Sequence, residues 1–377
     1  MSLFYWLGVV GTAAALLALA GPMVPVRAEG FEKVAGPRKV VVGTTIYSIW
    51  QGWPGLDARL AELGALVDEM AAEAQQRYDA GLDLAVLTEY AVTAGRHGSA
   101  ADVALPMEPV LEYFAAKARE HNTYIIVPMV LEEDRDRELY TNAALLVNRA
   151  GELVGIYRKV YPVAAKGEDV LEGGLTPGHE HPVFETDFGR LGIQICFDMT
   201  FDAGWRELAE AGAELVAWPT AAPQTLQPAA RAHDQGYYLV SSTPRNNATV
   251  WDPLGQVVAQ VESDAELETG RATLVAQVDL DYEILWWQPE LRAGRAFDEA
   301  YGQRAGYRYS QREDSGVFWS NDPTLPIGRM VDKLGLERAA ETLQRNRQVR
   351  ERILEEAPGL PPARGTADAP PAVGAAE

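Results

Sequence analysis

The chain carries a single cysteine among its 377 residues. Cys196 therefore has no internal disulfide partner, and no Cys-based zinc or iron–sulfur site can be assembled. It lies in Gly192-Ile193-Gln194-Ile195-Cys196-Phe197-Asp198, where an apolar run delivers the sulfur to the C-terminal end of a predicted strand. Catalytic groups of α/β proteins collect at that edge. Glu89 closes a second apolar run, Ala85-Val86-Leu87-Thr88-Glu89-Tyr90, and Lys159 follows a third, in Tyr157-Arg158-Lys159-Val160-Tyr161-Pro162. Taken singly, each has an ordinary explanation: a buried packing thiol, a helix cap, a solvated Arg-Lys edge. Taken together they are three polar groups of complementary type, each at a strand end, which chance does not readily supply.

Those three groups need strands to carry them. From Arg38 onward, β-rich runs alternate with helical ones. Residues 39–49 read as a strand. Residues 56–81 read as a helix, with Leu60, Leu63, Leu66, Val67 and Met70 at 3–4 spacing and Gly81 as its stop. A strand over 82–87, a helix over 107–122 and a strand over 123–131 follow. Residues 142–148 and 152–158 pair as a hairpin across Arg149-Ala150-Gly151. The Gly-, Pro- and charge-rich stretch 161–181 reads as a surface loop. Strands over 182–186 and 190–197, a helix over 201–212, a strand over 213–219 and a helix over 226–236 come next. Four more strands are predicted over 237–243, 248–252, 256–262 and 272–280. This order indicates an α/β or α+β layered domain over residues 38–285.

Residues 286–326 are aromatic and Gly-rich without clean periodicity. With a helix predicted over 331–357, residues 286–357 read as a C-terminal extension packed on the core or on a partner subunit. The Pro/Ala/Gly tail 358–377 reads as disordered.

The N-terminal residues 1–28 are uncharged and almost wholly apolar from Leu3 to Ala20, are broken by Pro22 and Pro25, and end in Val26-Arg27-Ala28. They read as a secretory signal peptide, giving a periplasmic or extracellular protein. The rival reading is an uncleaved membrane anchor over residues 3–20. With 47% hydrophobic and 23% charged residues, the composition is globular and excludes a collagen-like, coiled-coil or wholly disordered chain. A formal net charge of -21 repels phosphate backbones, so no nucleic-acid partner is expected.

An ordered set of motifs resembles the nitrilase-like carbon–nitrogen hydrolases over about residues 39–280. Glu89 falls where that family has its base, and Tyr157-Arg158-Lys159-Val160-Tyr161-Pro162 is similar to its lysine element. Leu175-Thr176-Pro177-Gly178, Phe188-Gly189-Arg190-Leu191-Gly192 and Ile195-Cys196-Phe197-Asp198 follow in family order. Gly212-Ala213-Glu214, Trp218-Pro219 and Asp252-Pro253-Leu254-Gly255 come after them. There are departures. Phe201-Asp202-Ala203 stands for the usual Phe-Pro-Glu, and Arg231-Ala232-His233-Asp234-Gln235 for Arg-Ala-x-Glu-Asn. Met199-Thr200 offers no arginine to grip the carboxylate of an N-carbamoyl amino acid.

The resemblance implies a four-layer α-β-β-α sandwich that pairs into a homodimer or larger assembly. It implies a thiol hydrolase cleaving an amide or N-carbamoyl bond of a small molecule through a thioester at Cys196. Glu89 would act as base and Lys159 as oxyanion stabiliser, with the backbone N–H of Phe197 as a second donor. A further glutamate near the lysine is placed on Glu132, with Glu133 as the rival. Trp218 and Thr220 are expected to line the pocket. No metal or cofactor is required. The alternatives are an acyl transferase using the same thioester and a non-catalytic binding protein on the same scaffold. A mechanistic rival is a Cys–His dyad drawing on His179 or His181.

Overall fold

The computed structural model describes residues 37–357, apart from 51, 165, 168 and 264–269, together with residue 359. The segment read as an export signal and the tail beyond 359 lie outside the described residues. No helix among the described residues is long and apolar enough to cross a membrane.

The first half of the chain builds one sheet. β1 (Lys39–Tyr47) leads to α1 (Leu56–Tyr78), β2 (Leu84–Val86), the short α2 (Ala100–Val103) and α3 (Met107–His121). The meander β3 (Tyr124–Asp134), β4 (Leu139–Val147) and β5 (Leu153–Arg158) completes it. β1, β2 and β3 run parallel, with Val42 opposite Leu84 and Leu84 opposite Tyr124. Strands covered on both faces read as continuous apolar runs, and Val40, Val41 and Val42 are all buried. α1 lays Leu60, Leu63, Leu66, Val67, Met70 and Ala74 onto this sheet as one helical stripe. The helix stops short of the expected Gly81, because Asp79 adopts the left-handed conformation at φ 48°.

The second half repeats the plan. β6 (Val183–Glu185), β7 (Arg190–Ile193), α4 (Asp202–Glu210), β8 (Leu215–Pro219) and α5 (Leu226–Gln235) precede β9 (Tyr238–Ser242), β10 (Asn247–Trp251) and β11 (Val257–Glu262). These strands form a second sheet in the order β11-β10-β9-β8-β7-β6. β12 (Arg271–Asp279) returns to pair antiparallel with β1, giving the first sheet the order β12-β1-β2-β3-β4-β5. The sheets face each other across Val42, Val86, Ile126, Ile193, Ala217 and Val240. α1 and α3 cover the first sheet. α4 and α5 cover the second, over Trp205, Leu208, Trp218 and Trp251. The layers are α-β-β-α.

The stretch without periodicity is ordered. β13 (Tyr282–Trp286), β14 (Ala305–Ser310) and β15 (Ser315–Ser320) make a small antiparallel sheet in the order β13-β15-β14, with α6 (Arg295–Tyr301) against it. Its aromatics have each other: the Phe297 and Phe318 rings lie 4.7 Å apart, and Tyr307 stacks on Phe318 at 5.2 Å. Its other face packs on the sandwich core through Tyr282, Ile284, Val317 and Trp319, and the Tyr282 hydroxyl donates to Gly236 O at 2.6 Å and Arg308 to Val257 O at 2.5 Å. The single helix expected over 331–357 is two, α7 (Ile327–Lys333) and α8 (Ala339–Glu356), separated by Gly335 at φ 65°.

The loop before β6 lies against the end of β5 because residue 178 is glycine. Gly178 N–H donates to Lys159 O at 2.8 Å, and a Cβ there would stand 2.3 Å from Arg158 O. A backbone carbonyl in a sheet cannot swing aside. Gly178→Ala is expected to lower the urea unfolding midpoint by an amount equivalent to about 1–3 kcal/mol. An unchanged midpoint would contradict this packing.

Candidate active site

The cysteine sits on a strained elbow. β7 stops at Ile193 instead of running to 197, although Gln194 N–H still reaches Ala217 O at 3.0 Å. Cys196 adopts φ 45° and opens a 3-10 turn, Cys196–Thr200. A non-glycine residue there costs about 1–3 kcal/mol and persists only where its surroundings over-determine it. Asp198 is one such constraint. Its Oδ2 accepts Ile195 N–H at 2.8 Å and the Tyr157 hydroxyl at 2.7 Å, and its Oδ1 accepts Tyr161 N–H at 2.9 Å. Trp218 is another: its indole N–H donates to Cys196 O at 3.1 Å. Trp218 is fully buried among the residues under α4 and α5, so it braces the elbow from behind and lines neither of the two cavities described below.

A buried ammonium faces that elbow. The Lys159 side chain is 1% exposed, with Nζ 3.0 Å from Glu89 Oε1 and 2.6 Å from Glu172 Oε1. Burial alone would depress an ammonium, but Glu89, the Cys196 sulfur and Glu172 outweigh it and hold Lys159 above the usual lysine range. Glu89 Oε1 also accepts Asn142 Nδ2 at 2.8 Å, and its Oε2 accepts Ala221 N–H at 2.7 Å. Glu172 Oε1 accepts Val163 N–H at 2.8 Å, and the Tyr90 hydroxyl donates to Oε2. Burial, then the Glu89 carboxylate, pushes the Cys196 thiol up to about 12. Lys159 pulls the other way, helped by Ala221 N–H and the Thr220 hydroxyl.

Of the residues expected at the site, Glu89, Lys159 and Thr220 lie around Cys196, while Glu132 has another partner and Trp218 lies behind the elbow. Glu89 and Lys159 are in direct contact and act electrostatically on Cys196. Thr220 is buried beside the sulfur, its N–H on Ser242 O at 2.9 Å. Phe197 is 37% exposed, its ring edge against Phe201 at 5.6 Å. Glu132 does not reach the lysine. β3 runs on to Asp134, pairs Glu132 with Tyr140 and turns its carboxylate to Arg135. Glu133 is engaged by Arg158 at 2.8 Å. The acid beside Lys159 is Glu172, from the loop read only as surface. The histidines do not form a dyad with the thiol. His179 is exposed beside Glu180, and His181 bonds Gln194 Nε2 at 2.8 Å.

A cavity of about 300 Å³ adjoins the cluster, sharing Tyr90 and Glu172 with it and lined also by Trp50, Arg96, His97 and Leu175. A second, of about 150 Å³, lies around Asp252, Asp279 and Arg308 and contains none of the groups above. Asp68, Glu120 and His121 bring three ligand atoms within 4.8 Å of one another at the surface. Lys117 already sits 2.8 Å from Asp68 and 3.0 Å from Glu120, so that charge is met by a resident cation.

Comparison with known proteins agrees with this architecture. The yeast Saccharomyces cerevisiae Nit3, described as a member of branch 10 of the nitrilase superfamily, superimposes with a TM-score of 0.53 at 21% identity, covering 75% of this chain and 99% of that one. A cysteine-to-alanine mutant of the Nesterenkonia AN1 amidase gives 0.52 at 17% identity, covering 65% and 93%. In sequence, the omega-amidase NIT2-A of Xenopus laevis is 28% identical over 192 residues, 45% of this chain and 67% of that protein. The human deaminated glutathione amidase is 28% identical over 200 residues, 46% and 59% respectively. The family model for carbon-nitrogen hydrolases matches residues 50–288, well over half of the sequence. The chain thus belongs to the carbon–nitrogen hydrolases, enzymes of carbon–nitrogen bonds other than peptide bonds.

Proposed function

We propose that the protein hydrolyses the carboxamide of a small molecule through a thioester on Cys196. The observation that carries this reading is the buried Lys159 ammonium, held between Glu89 and Glu172 beside the only thiol of the chain. The Cys196 sulfur attacks the amide carbon while its proton passes to Glu89. The oxyanion forms against Lys159 and the N–H of Phe197. Glu89 gives its proton to the departing nitrogen, the carbon–nitrogen bond breaks, and the amine or ammonia leaves. Water then attacks the thioester, Glu89 takes its proton, and the acid leaves as the thiol is restored. The names of the amidase relatives support an amide as substrate.

The cavity beside the cluster supports an acyl portion that carries a carboxylate. Arg96 lines it, stacked over Trp53 at 5.2 Å and donating to Asp102 O at 2.6 Å. Among the described residues no carboxylate forms an ion pair with Arg96, and Asp102 directs its Oδ2 to Ser99 at 2.7 Å.

Ammonia release from a panel of small carboxamides tests the reaction. Cys196→Ala is expected to lose at least ~10⁴-fold in turnover, and Glu172→Gln roughly 10²-fold. Intact mass should show an acyl adduct on the wild-type chain. Equal turnover by wild type and Cys196→Ala would end the reading. For the substrate class, Arg96→Ala should raise KM for carboxylate-bearing amides by ~10- to 100-fold, the worth of one charge-assisted hydrogen bond. Neutral amides should be nearly unaffected; a parallel rise for both would refute the assignment. Export belongs to the same proposal. N-terminal sequencing of the mature protein is expected to begin at Glu29, and a chain still beginning at its first residues would exclude cleavage.

A further inference from the structure

We infer that Asp198 is a positioning residue that sets the thiol of Cys196 against the ammonium of Lys159 by tying their two chain segments to one carboxylate. The inference rests on the proposed thioester chemistry for its meaning, but its geometry is independent of any substrate. Cys196 and Lys159 belong to different sheets: one follows β7 in the second, the other follows β5 in the first. The Asp198 bonds join those segments at residues that bracket both groups. Ile195, one residue before the cysteine, donates to Oδ2 at 2.8 Å. Tyr157 and Tyr161, each two residues from the lysine, donate to Oδ2 at 2.7 Å and to Oδ1 at 2.9 Å.

Both side chains are fixed. Asp198 is 1% exposed and Tyr157 is fully buried. Three donors on two oxygens, in a site buried from solvent, make a rigid clamp. The clamp also acts on the strained cysteine backbone, because an acceptor for Ile195 N–H replaces the strand bond that the left-handed turn gives up. Trp205 Nε1 donates to Asp198 O at 3.0 Å, so the clamp is anchored in turn to α4. Nothing in this arrangement has Asp198 touch the reacting atoms.

Asp198→Asn keeps the shape but presents an N–H₂ where one of the three donors requires an acceptor. Tyr157→Phe keeps the carboxylate and removes one donor. The experiment measures the rate of iodoacetamide alkylation of Cys196 against pH, with kcat and KM on the best amide and the thermal midpoint alongside. In the wild type, the buried thiol should show no inflection near the ordinary thiol value of ~8.5. In Asp198→Asn, the freed elbow should carry the sulfur away from burial and Glu89, which together outweigh the downward pull of Lys159, so the alkylation profile should move to that inflection; kcat should fall ~10²-fold or more, and KM should change by less than about threefold. Tyr157→Phe should shift both readouts in the same direction by ~3- to 10-fold and decides the matter if Asp198→Asn does not fold. A lowered midpoint with an unchanged alkylation profile in folded variants would overturn the positioning role. If instead the profile shifts but no wild-type acyl adduct forms, the clamp stands and the hydrolytic reading fails.

Discussion

A charge that cannot leave its site organises this molecule. Taking an ammonium out of water costs several kcal/mol unless opposite charge and hydrogen bonds replace the lost hydration. Lys159 meets that cost with two carboxylates, Glu89 and Glu172. One ammonium against two carboxylates leaves a negative surplus, and that surplus must be satisfied as well. Asn142, Ala221 N–H, Val163 N–H and the Tyr90 hydroxyl perform this role. The thiol feels the same arithmetic. Ionising it would add a second uncompensated negative charge, which is why burial and Glu89 together push it up to about 12. In the proposed reaction the sulfur starts as a thiol, and its proton passes to Glu89 as the new bond forms.

The fold supplies this cluster from sites far apart along the chain. Glu89 leaves β2, Lys159 leaves β5 and Cys196 leaves β7, all at the end of the sandwich where the parallel strands finish. Three residues of the cluster, Tyr90, Glu172 and Cys196, have left-handed backbone at φ 60°, 42° and 45°. None is glycine, so each position is strained and is held by the bonds around it. The strain and the buried charge rely on the same hydrogen bonds. Removing either would leave the other without support.

How much of this was legible in the sequence follows from what kind of signal each residue carries. Cys196, Glu89 and Lys159 each close an apolar run, and a run of Val, Ile and Leu is a visible mark of a strand covered on both faces. Glu172 closes nothing. It lies in Leu171-Glu172-Gly173-Gly174, held by tertiary bonds such as Val163 N–H to its carboxylate and Ala100 N–H to Gly173 O. Loop geometry of that sort has no period to read. Glu132 attracted the assignment because it follows an apolar strand, but the strand does not end there: the ladder with β4 continues past a bulge to Asp134. The C-terminal sheet was hidden for a related reason. One face puts Tyr282 and Val317 on the sandwich core and the other puts Tyr307 and Phe318 on Phe297 of α6, so both faces are apolar and no period-2 alternation marks the strands. The helix expected over 331–357 concealed its break because Gly335 sits among good helix formers and only its left-handed φ of 65° reveals the turn.

Placing the second acid on a loop has a consequence for how such an enzyme can change. Glu172 touches Lys159 with one oxygen and Tyr90 with the other, and the same residue lines the neighbouring cavity. A loop that sets only the shape of a pocket can vary freely, since surface connections tolerate substitution better than the elements they join. This one cannot. Moving Glu172 by an ångström to reshape the cavity would weaken the bond that keeps Lys159 charged, and the surplus negative charge that holds the thiol proton would change with it. Freedom to retune selectivity is therefore confined to the cavity residues that make no contact with the ammonium, Trp50, Arg96 and His97 among them. Arg96 is held by Trp53 and the Asp102 carbonyl and makes no hydrogen bond to Glu89, Glu172 or Lys159 among the described residues. In the proposed reading it bears on which acyl group enters, and the buried charges bear on the reaction.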